Sequence, residues 1–292
     1  MKGNMKKTIL SYPDYLNALF NEDIVFTIHS SFKNTINLNH KNTLISLQHR
    51  DLMLTPMSIR LDLSPFEFSN MFFNQSNLIY IRDRILYVNE VMFELNNTKM
   101  ENLKIIENLN IDYKCNLYKN LNDYLLNSIK NGEMIKAFKR LNGKNTNDTS
   151  ILSDYFYAIF KKLELLMLHN DCDQYLPLIG VGEGLTPSGD DFLCGLIAST
   201  YFINNVELNK LREMLKEKLP PLLNKTTDIS RAYLLNSLEG QFMEGLIRLH
   251  EVSVKREDVE PILNEISAMG HSSGTDFLVG LHFGLKLGGT KE

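Results

Sequence analysis

Cysteine is scarce in this chain: Cys115, Cys172 and Cys194 are the only three in 292 residues. They show no zinc-type spacing, and an odd count is a poor disulfide framework, so a reducing cytoplasm is the natural setting. No run of about 18 apolar residues occurs, which excludes a membrane-spanning helix. The basic start, MKGNMKKTILSYPDY, is cut by Ser11, Pro13 and Asp14 and does not read as a secretion signal. Basic and acidic residues nearly balance, 31 against 35, and no block of like charge forms a tail. That excludes a nucleic-acid footprint. There is no His-x-x-x-His, no His–Cys cluster and no Gly-x-Ser-x-Gly elbow, so zinc chemistry and serine-hydrolase chemistry have no foothold.

Apolar residues, at 43% of the chain, are plentiful enough for a sizeable core. The length suggests two domains, and the halves read differently. DIVFTIHSSF, TINLNH, TLISLQH, SIRLDL, NLIYIRDRILYV and EVMFEL, all between residues 23 and 95, are short, partly alternating and separated by polar turns. They read as a strand meander. From about residue 100 the apolar period becomes helical. LYKNLNDYLLNSIKNGEMIKAFKRL and ILSDYFYAIFKKLELLMLHN are divided by a polar loop, NGKNTNDTS. Helices are predicted near 187–204, 207–218, 227–247, 256–268 and 274–287. The expected fold is α+β. A β-rich domain spans 1–100, a helical connector and loop 101–150, and an all-helical domain 151–292.

The helical half contains an internal repeat. SGDDFLCGL begins at Ser188 and SGTDFLVGL at Ser273, an offset of 85 residues with seven of nine positions identical. Each copy opens a helix that is apolar nearly all round, which is the pattern of a buried helix. Gly195 and Gly280 offer close backbone approach, and the pair is expected to pack about a local twofold axis with both N-termini at one place.

What precedes the first copy is unusual: LIGVGEGLTPSGDD carries Gly180, Gly182 and Gly184 before Thr186, Pro187 and Ser188. A capping box, Ser188-x-x-Asp191 and again Ser273-x-x-Asp276, accounts for the serines and the second acid. It leaves Gly189, Gly274 and Asp190 unexplained, since glycine in a first turn costs up to about 1 kcal/mol relative to alanine. A bare first turn with free amides suits an anion, and a glycine loop can add converging N–H groups. The spacing matches neither the dinucleotide fingerprint nor the P-loop.

A small anionic ligand is therefore expected on these helix starts. Its binding set is Gly180, Gly182, Gly184, Thr186, Ser188, Gly189, Asp191, Ser272, Ser273, Gly274 and Asp276. Thr226, Thr227 and Ser230 of NKTTDIS would complete it, with Arg231 as a nearby cation; the alternative for that segment is a plain helix cap at Thr227 or Asp228. Asp190 and His271 are the candidate catalytic groups, the first to orient a donor group, the second as acid or base. His29, ending an early strand, is a further ligand candidate. The remaining histidines, His40, His49, His169, His250 and His282, show no pairing.

GVGEGLTPSGDDFLCG, TTDIS and GHSSGTDFLVG resemble the AllH-like family of bacterial proteins, and the early HSSFKNTINL resembles its N-terminal region. The matching positions include Gly182, Gly184, Thr186, Pro187, Ser188, Gly189, Asp190 and Asp191. The resemblance implies a subunit of oxamate carbamoyltransferase in allantoin and purine breakdown. That system converts oxalurate and phosphate to oxamate and carbamoyl phosphate and implicates other subunits as partners. Such chemistry needs anion binding and oxyanion stabilisation, which helix N-termini supply. Two adjacent aspartates repel an anion, which leaves two alternatives open. One is a magnesium-assisted enzyme with Asp190, Asp191 and Asp276 as ligands. The other is a non-catalytic assembly subunit.

Overall fold

The computed structural model describes residues 6–41, 43–72, 78–105, 111–145, 150–166, 172–255 and 257–289. Residues 146–149 of the expected polar loop and His169 lie outside these. Internal contacts divide the chain into two compact units, Met1–Leu103 and Lys104–Glu292. The α+β class is as the patterning indicates.

The first unit is a closed sheet. Its strands are β1 (Lys6–Pro13), β2 (Ile24–Ser31), β3 (Thr35–His40), β4 (Thr43–Gln48) and β5 (Ser58–Leu61). After helix α1 (Pro65–Phe72) come β6 (Ile79–Arg82), β7 (Ile85–Val88), β8 (Val91–Glu94) and β9 (Lys99–Glu101). The order is β5-β4-β3-β2-β6-β7-β8-β1-β9, and an added β5–β1 pairing closes it into a barrel. Closure removes the exposed edges that an open meander would leave.

Alternation sets the inward face. Ile24 and Phe26 of β2 are buried while Val25 and Thr27 are exposed. Phe68 and Phe72 of α1 pack with tilted rings, centroids 4.5 Å apart, and join the barrel core. His29 lies on the exposed face of β2, with Nδ1 3.1 Å from Ser30 Oγ.

Three features of this unit differ from the sequence reading. The segment NLIYIRDRILYV is a hairpin rather than one strand, because Asp83 and Arg84 both adopt positive φ, 51° and 63°. That two-residue geometry matches the strand twist. β1 was not anticipated: it mixes parallel pairing to β8 and β9 with antiparallel pairing to β5, which no local pattern announces. α1 also went unread. It is started by a true capping box, in which Ser64 N donates to Glu67 Oε2 at 2.8 Å and Glu67 N to Ser64 Oγ at 3.3 Å.

The second unit is all helical: α2 (Ile111–Asn127), α3 (Glu133–Leu141), α4 (Ile151–Leu166), α5 (Ser188–Phe202), α6 (Val206–Lys218), α7 (Asp228–Leu238), α8 (Glu244–Lys255), α9 (Glu260–Ser267) and α10 (Ser273–Leu287). The stretch expected as one helix over 227–247 is two. Gly240 adopts φ 75° and ends α7, and a methyl group there would stand 2.8 Å from the Tyr201 ring. Gly240 thus both stops α7 and packs closely against Tyr201.

α5 and α10 are the centre of the unit and share its largest helix contact. Around them, α7 and α6 pack on α5, and α2, α3 and α9 on α10. His282 of α10 is wedged between the Tyr118 and Phe138 rings at 4.7 and 4.9 Å. Burial holds it neutral, with its pKa lowered to about 3.

No helix among the described residues is long and apolar enough to cross a membrane.

Candidate functional site

The glycines explain how α5 and α10 meet. A methyl group on Gly195 would stand 1.9 Å from Phe277 O and 2.8 Å from Leu281 N. One on Gly280 would stand 2.0 Å from Phe192 O and 3.0 Å from Leu196 N. Under the 85-residue offset, Gly195 corresponds to Gly280, Phe192 to Phe277 and Leu196 to Leu281. Each glycine therefore meets the same pair of positions on the other helix. The two helices run parallel about a local pseudo-twofold axis, and their N-termini lie side by side. Thr186 Oγ1, just before α5, is 2.8 Å from Ser273 Oγ in the first turn of α10. The expected convergence of the two motifs is the geometry found.

The glycine loop is built for positive φ, with Gly180, Gly182 and Gly184 at 72°, 128° and 87°. Asp190 fastens it. Its Oδ1 accepts Gly180 N at 2.8 Å, and its Oδ2 accepts the Thr226 hydroxyl. Thr227 Oγ1 donates to Leu185 O at 2.5 Å and its oxygen accepts Ser230 N, capping α7. The cap reading of Thr227 is the one found. Arg231 is drawn off to Leu223 O and Asp228. Burial pushes the Asp190 carboxyl above the usual carboxylate range, and the bonds from Thr226 and Gly180 pull it back.

Three sequence expectations need correction here. The first-turn amides of α5 are not bare: Gly189 N donates to Val181 O at 2.8 Å, and Asp190 N and Asp191 N to Pro187 O at 2.9 and 3.2 Å. A methyl group on Gly189 would lie 2.0 Å from Leu178 O, and one on Gly274 1.8 Å from Ile266 O. These glycines serve close backbone packing, not the approach of an anion. Second, the capping boxes do not form. Pro187 and Ser272 hold the cap positions without a side-chain cap bond, so Ser188 and Ser273 already belong to their helices. Third, the three-aspartate magnesium set does not assemble, because Asp190 is occupied by Gly180 and Thr226. Among the described residues no group of three or more His, Cys, Asp or Glu side chains is placed to hold a metal.

The other two acids behave differently from Asp190. Asp276 is fully buried, and neither of its oxygens meets hydrogen-bond geometry with a partner among the described residues, although the Ser188 and Ser272 hydroxyls lie close enough to act on it. Asp191 Oδ2 is likewise buried without such a partner. Burial pushes the Asp276 carboxyl up to about 7 against the pull of the Ser188 and Ser272 hydroxyls. Asp191 is held well above the usual range, first by burial and then by the Asp276 charge, while Ser273 opposes. The serines and Thr186 around the pair are half-buried, as is Gly132. Ser188 and Ser272 thus lie beside Asp276, and Ser273 beside Asp191. His271 is exposed on the turn before α10, and the Gly184–Leu185 tip is exposed as well.

Residues 178–285 match the family described as oxamate carbamoyltransferase subunit AllH, and residues 8–100 match the AllH family N-terminal domain. The chain belongs to the AllH family. No solved structure matches it. The AllH match contains both helix starts, the glycine loop, Thr226, Thr227 and Ser230. The N-terminal match contains His29.

One residue near the acid pair lies between the two AllH-family matches and was missed by sequence reasoning. Gly132 caps α3, and a methyl group there would stand 3.0 Å from Ser272 Cβ and 3.8 Å from Asp276 Oδ1. Nothing in NSIKNGEMIKAF signals that role, since one glycine before a helix is ordinary capping chemistry. A cavity of about 520 Å³ lies elsewhere, between the end of α2 and α9, lined by Tyr124, Lys130, Glu260 and Asn264 among others. None of the sequence-predicted site residues lines it.

Proposed function

We propose that this chain is the subunit of a carbamoyltransferase that seats the substrate, with oxalurate and phosphate converted to oxamate and carbamoyl phosphate in purine and allantoin breakdown. The substrate seat is the shared mouth of α5 and α10. Supporting this is one observation above others: the Thr186–Ser273 contact brings the two halves of the family motif together over a buried acid pair. A phosphate oxygen attacks the carbamoyl carbon, the bond from that carbon to the oxamoyl nitrogen breaks, and that nitrogen takes a proton. The hydroxyls of Thr186, Ser188, Ser272 and Ser273, with the positive ends of two parallel helices, suit an anionic substrate and the developing oxyanion. His271 is the exposed acid or base at the rim. Asp190 acts as a positioning residue, holding the glycine loop against α7. The partner subunits complete the enzyme, and the cytoplasm is its compartment.

The test is reconstitution with the partner subunits, reading phosphate-dependent release of oxamate from oxalurate. Thr186→Val and Ser273→Ala should each lower kcat, on the order of a hundredfold for a lost transition-state donor. Undiminished turnover in both variants would remove the chemistry from this seat.

A second reading, the assembly subunit, is favoured by one observation. Leu185 is 39% exposed at the tip of a loop whose base is rigidly fastened. On that reading the tip docks a partner subunit. Leu185→Ser would then weaken the assembly without changing turnover per assembled enzyme.

A further inference from the structure

The motif carries three aspartates, and the structure divides them. Asp190 has its acceptor positions filled from within the fold. Asp191 and Asp276 face each other near the pseudo-twofold axis, at equivalent positions of parallel helices. Three of their four oxygens are buried and meet hydrogen-bond geometry with no partner among the described residues, and the nearby Ser188, Ser272 and Ser273 hydroxyls satisfy them only weakly. Burying a carboxylate without a partner costs more than leaving a neutral group unpaired, and buried polar groups otherwise find partners. Such a pair is held for something that arrives.

The surroundings limit what that can be. A free anion is opposed by the acids themselves. A hard cation needs six or more oxygen ligands at about 2.0–2.6 Å or a retinue of waters, and the described acids do not gather in a group of three. A neutral primary amide or urea end fits better. Its nitrogen carries two N–H donors, matched by two carboxylates. Its carbonyl oxygen accepts from a hydroxyl, for which Thr186, 2.8 Å from Ser273 Oγ, is the candidate, while Ser188, Ser272 and Ser273 lie against the acids. The positive helix ends then serve a carboxylate on the far side of the same small molecule.

We propose that Asp191 and Asp276 are the recognition pair for the terminal amino group of a carbamoyl or oxamoyl substrate, the role the sequence had suggested for Asp190. With Asp276 buried to the point that its carboxyl titrates near neutrality, the pair can accept from two N–H groups without carrying two full charges. Gly132 lets the α2–α3 turn approach Ser272 and Asp276. The proposal rests on the substrate seat lying in this chain, and it adds which two residues recognise the amino end of that substrate.

Oxamate and pyruvate provide the test, because they differ by an amino group in place of a methyl. Binding of each to the full chain, alone and in the reconstituted enzyme, is measured by calorimetry. The expected result is oxamate binding at least about tenfold tighter than pyruvate, as for a site that leaves buried acceptors unpaired when the donor is missing. Asp276→Leu and Asp191→Asn should erase that difference, with circular dichroism and melting confirming the fold.

Equal affinity for the two ligands would overturn the proposal, as would preference that survives both substitutions. So would failure of oxamate to bind in either setting, or stabilisation by magnesium alone that is lost in Asp276→Leu. The functional reading fails separately, if the reconstituted wild-type enzyme does not transfer the carbamoyl group. The preference for oxamate over pyruvate is decided without that activity.

Discussion

Gly195 lies so close to Phe277 O that a methyl group in place of its hydrogen would stand 1.9 Å from that oxygen, and Gly280 repeats the relation with Phe192 O at 2.0 Å. These two contacts set the spacing of α5 and α10, and with it the distance between the two helix starts. Backbone cannot yield as a flexible side chain can. Gly195→Ala and Gly280→Ala should each destabilise the chain by roughly 1–3 kcal/mol or more through overpacking. Chemical denaturation midpoints check this, and wild-type midpoints would show the helices to be looser than described.

The glycines of the motif are not equivalent. Gly189→Val places a side chain against Leu178 O and should abolish a stable fold. Gly184 has open space around it, so Gly184→Ala meets only the strain of its positive φ, about 1 kcal/mol. Soluble yield and melting temperature distinguish the two. A well-folded Gly189→Val protein would contradict the packing role.

Asp190 is a fastener, and Asp190→Asn should behave as a broken one. An amide that must face both Gly180 N and the Thr226 hydroxyl cannot accept from both through a charged group. The expected loss is about 1–3 kcal/mol, with faster proteolysis within residues 180–186. Unchanged stability with lost activity would return Asp190 to a catalytic role.

The acid pair makes a signed prediction for pH. The Asp276 carboxyl rises from an ordinary value of 3.8 to about 7 on folding. The folded chain therefore keeps a proton that the unfolded chain loses above about pH 4. This stabilisation is fully present below that range and is lost as pH rises through about 7. The Asp191 carboxyl, raised by burial and then by the Asp276 charge, contributes a loss of the same sign. Asp276→Asn should flatten the profile and raise stability at pH 8, on the order of 4 kcal/mol. Melting scans from pH 5 to 8.5 read it. A variant less stable than wild type at pH 8 would mean that the carboxylate is paired after all.

Much of this protein was legible in its sequence. The alternation in TINLNH placed a strand where β3 lies, although Asn37 is buried along with Ile36 and Leu38. The 85-residue repeat, with Gly195 and Gly280 at matching places, foretold two buried helices with adjacent starts. Local chemistry also fixed the Thr227 cap and the positive-φ loop at Gly180, Gly182 and Gly184. What the sequence did not decide was the use to which these residues are put. Ser188-x-x-Asp191 satisfies the capping pattern, yet Pro187 takes the cap and the acid turns to Asp276. Asp190 and Asp191 are neighbours in the chain, but a helix points them about 100° apart. One meets Gly180 and Thr226, the other the second helix. β1 pairs with strands on both sides of the barrel, and Gly132 reaches Asp276 from 144 residues away in the chain. Such assignments depend on long-range pairing and on which buried groups find partners, and those are settled only when the whole core closes.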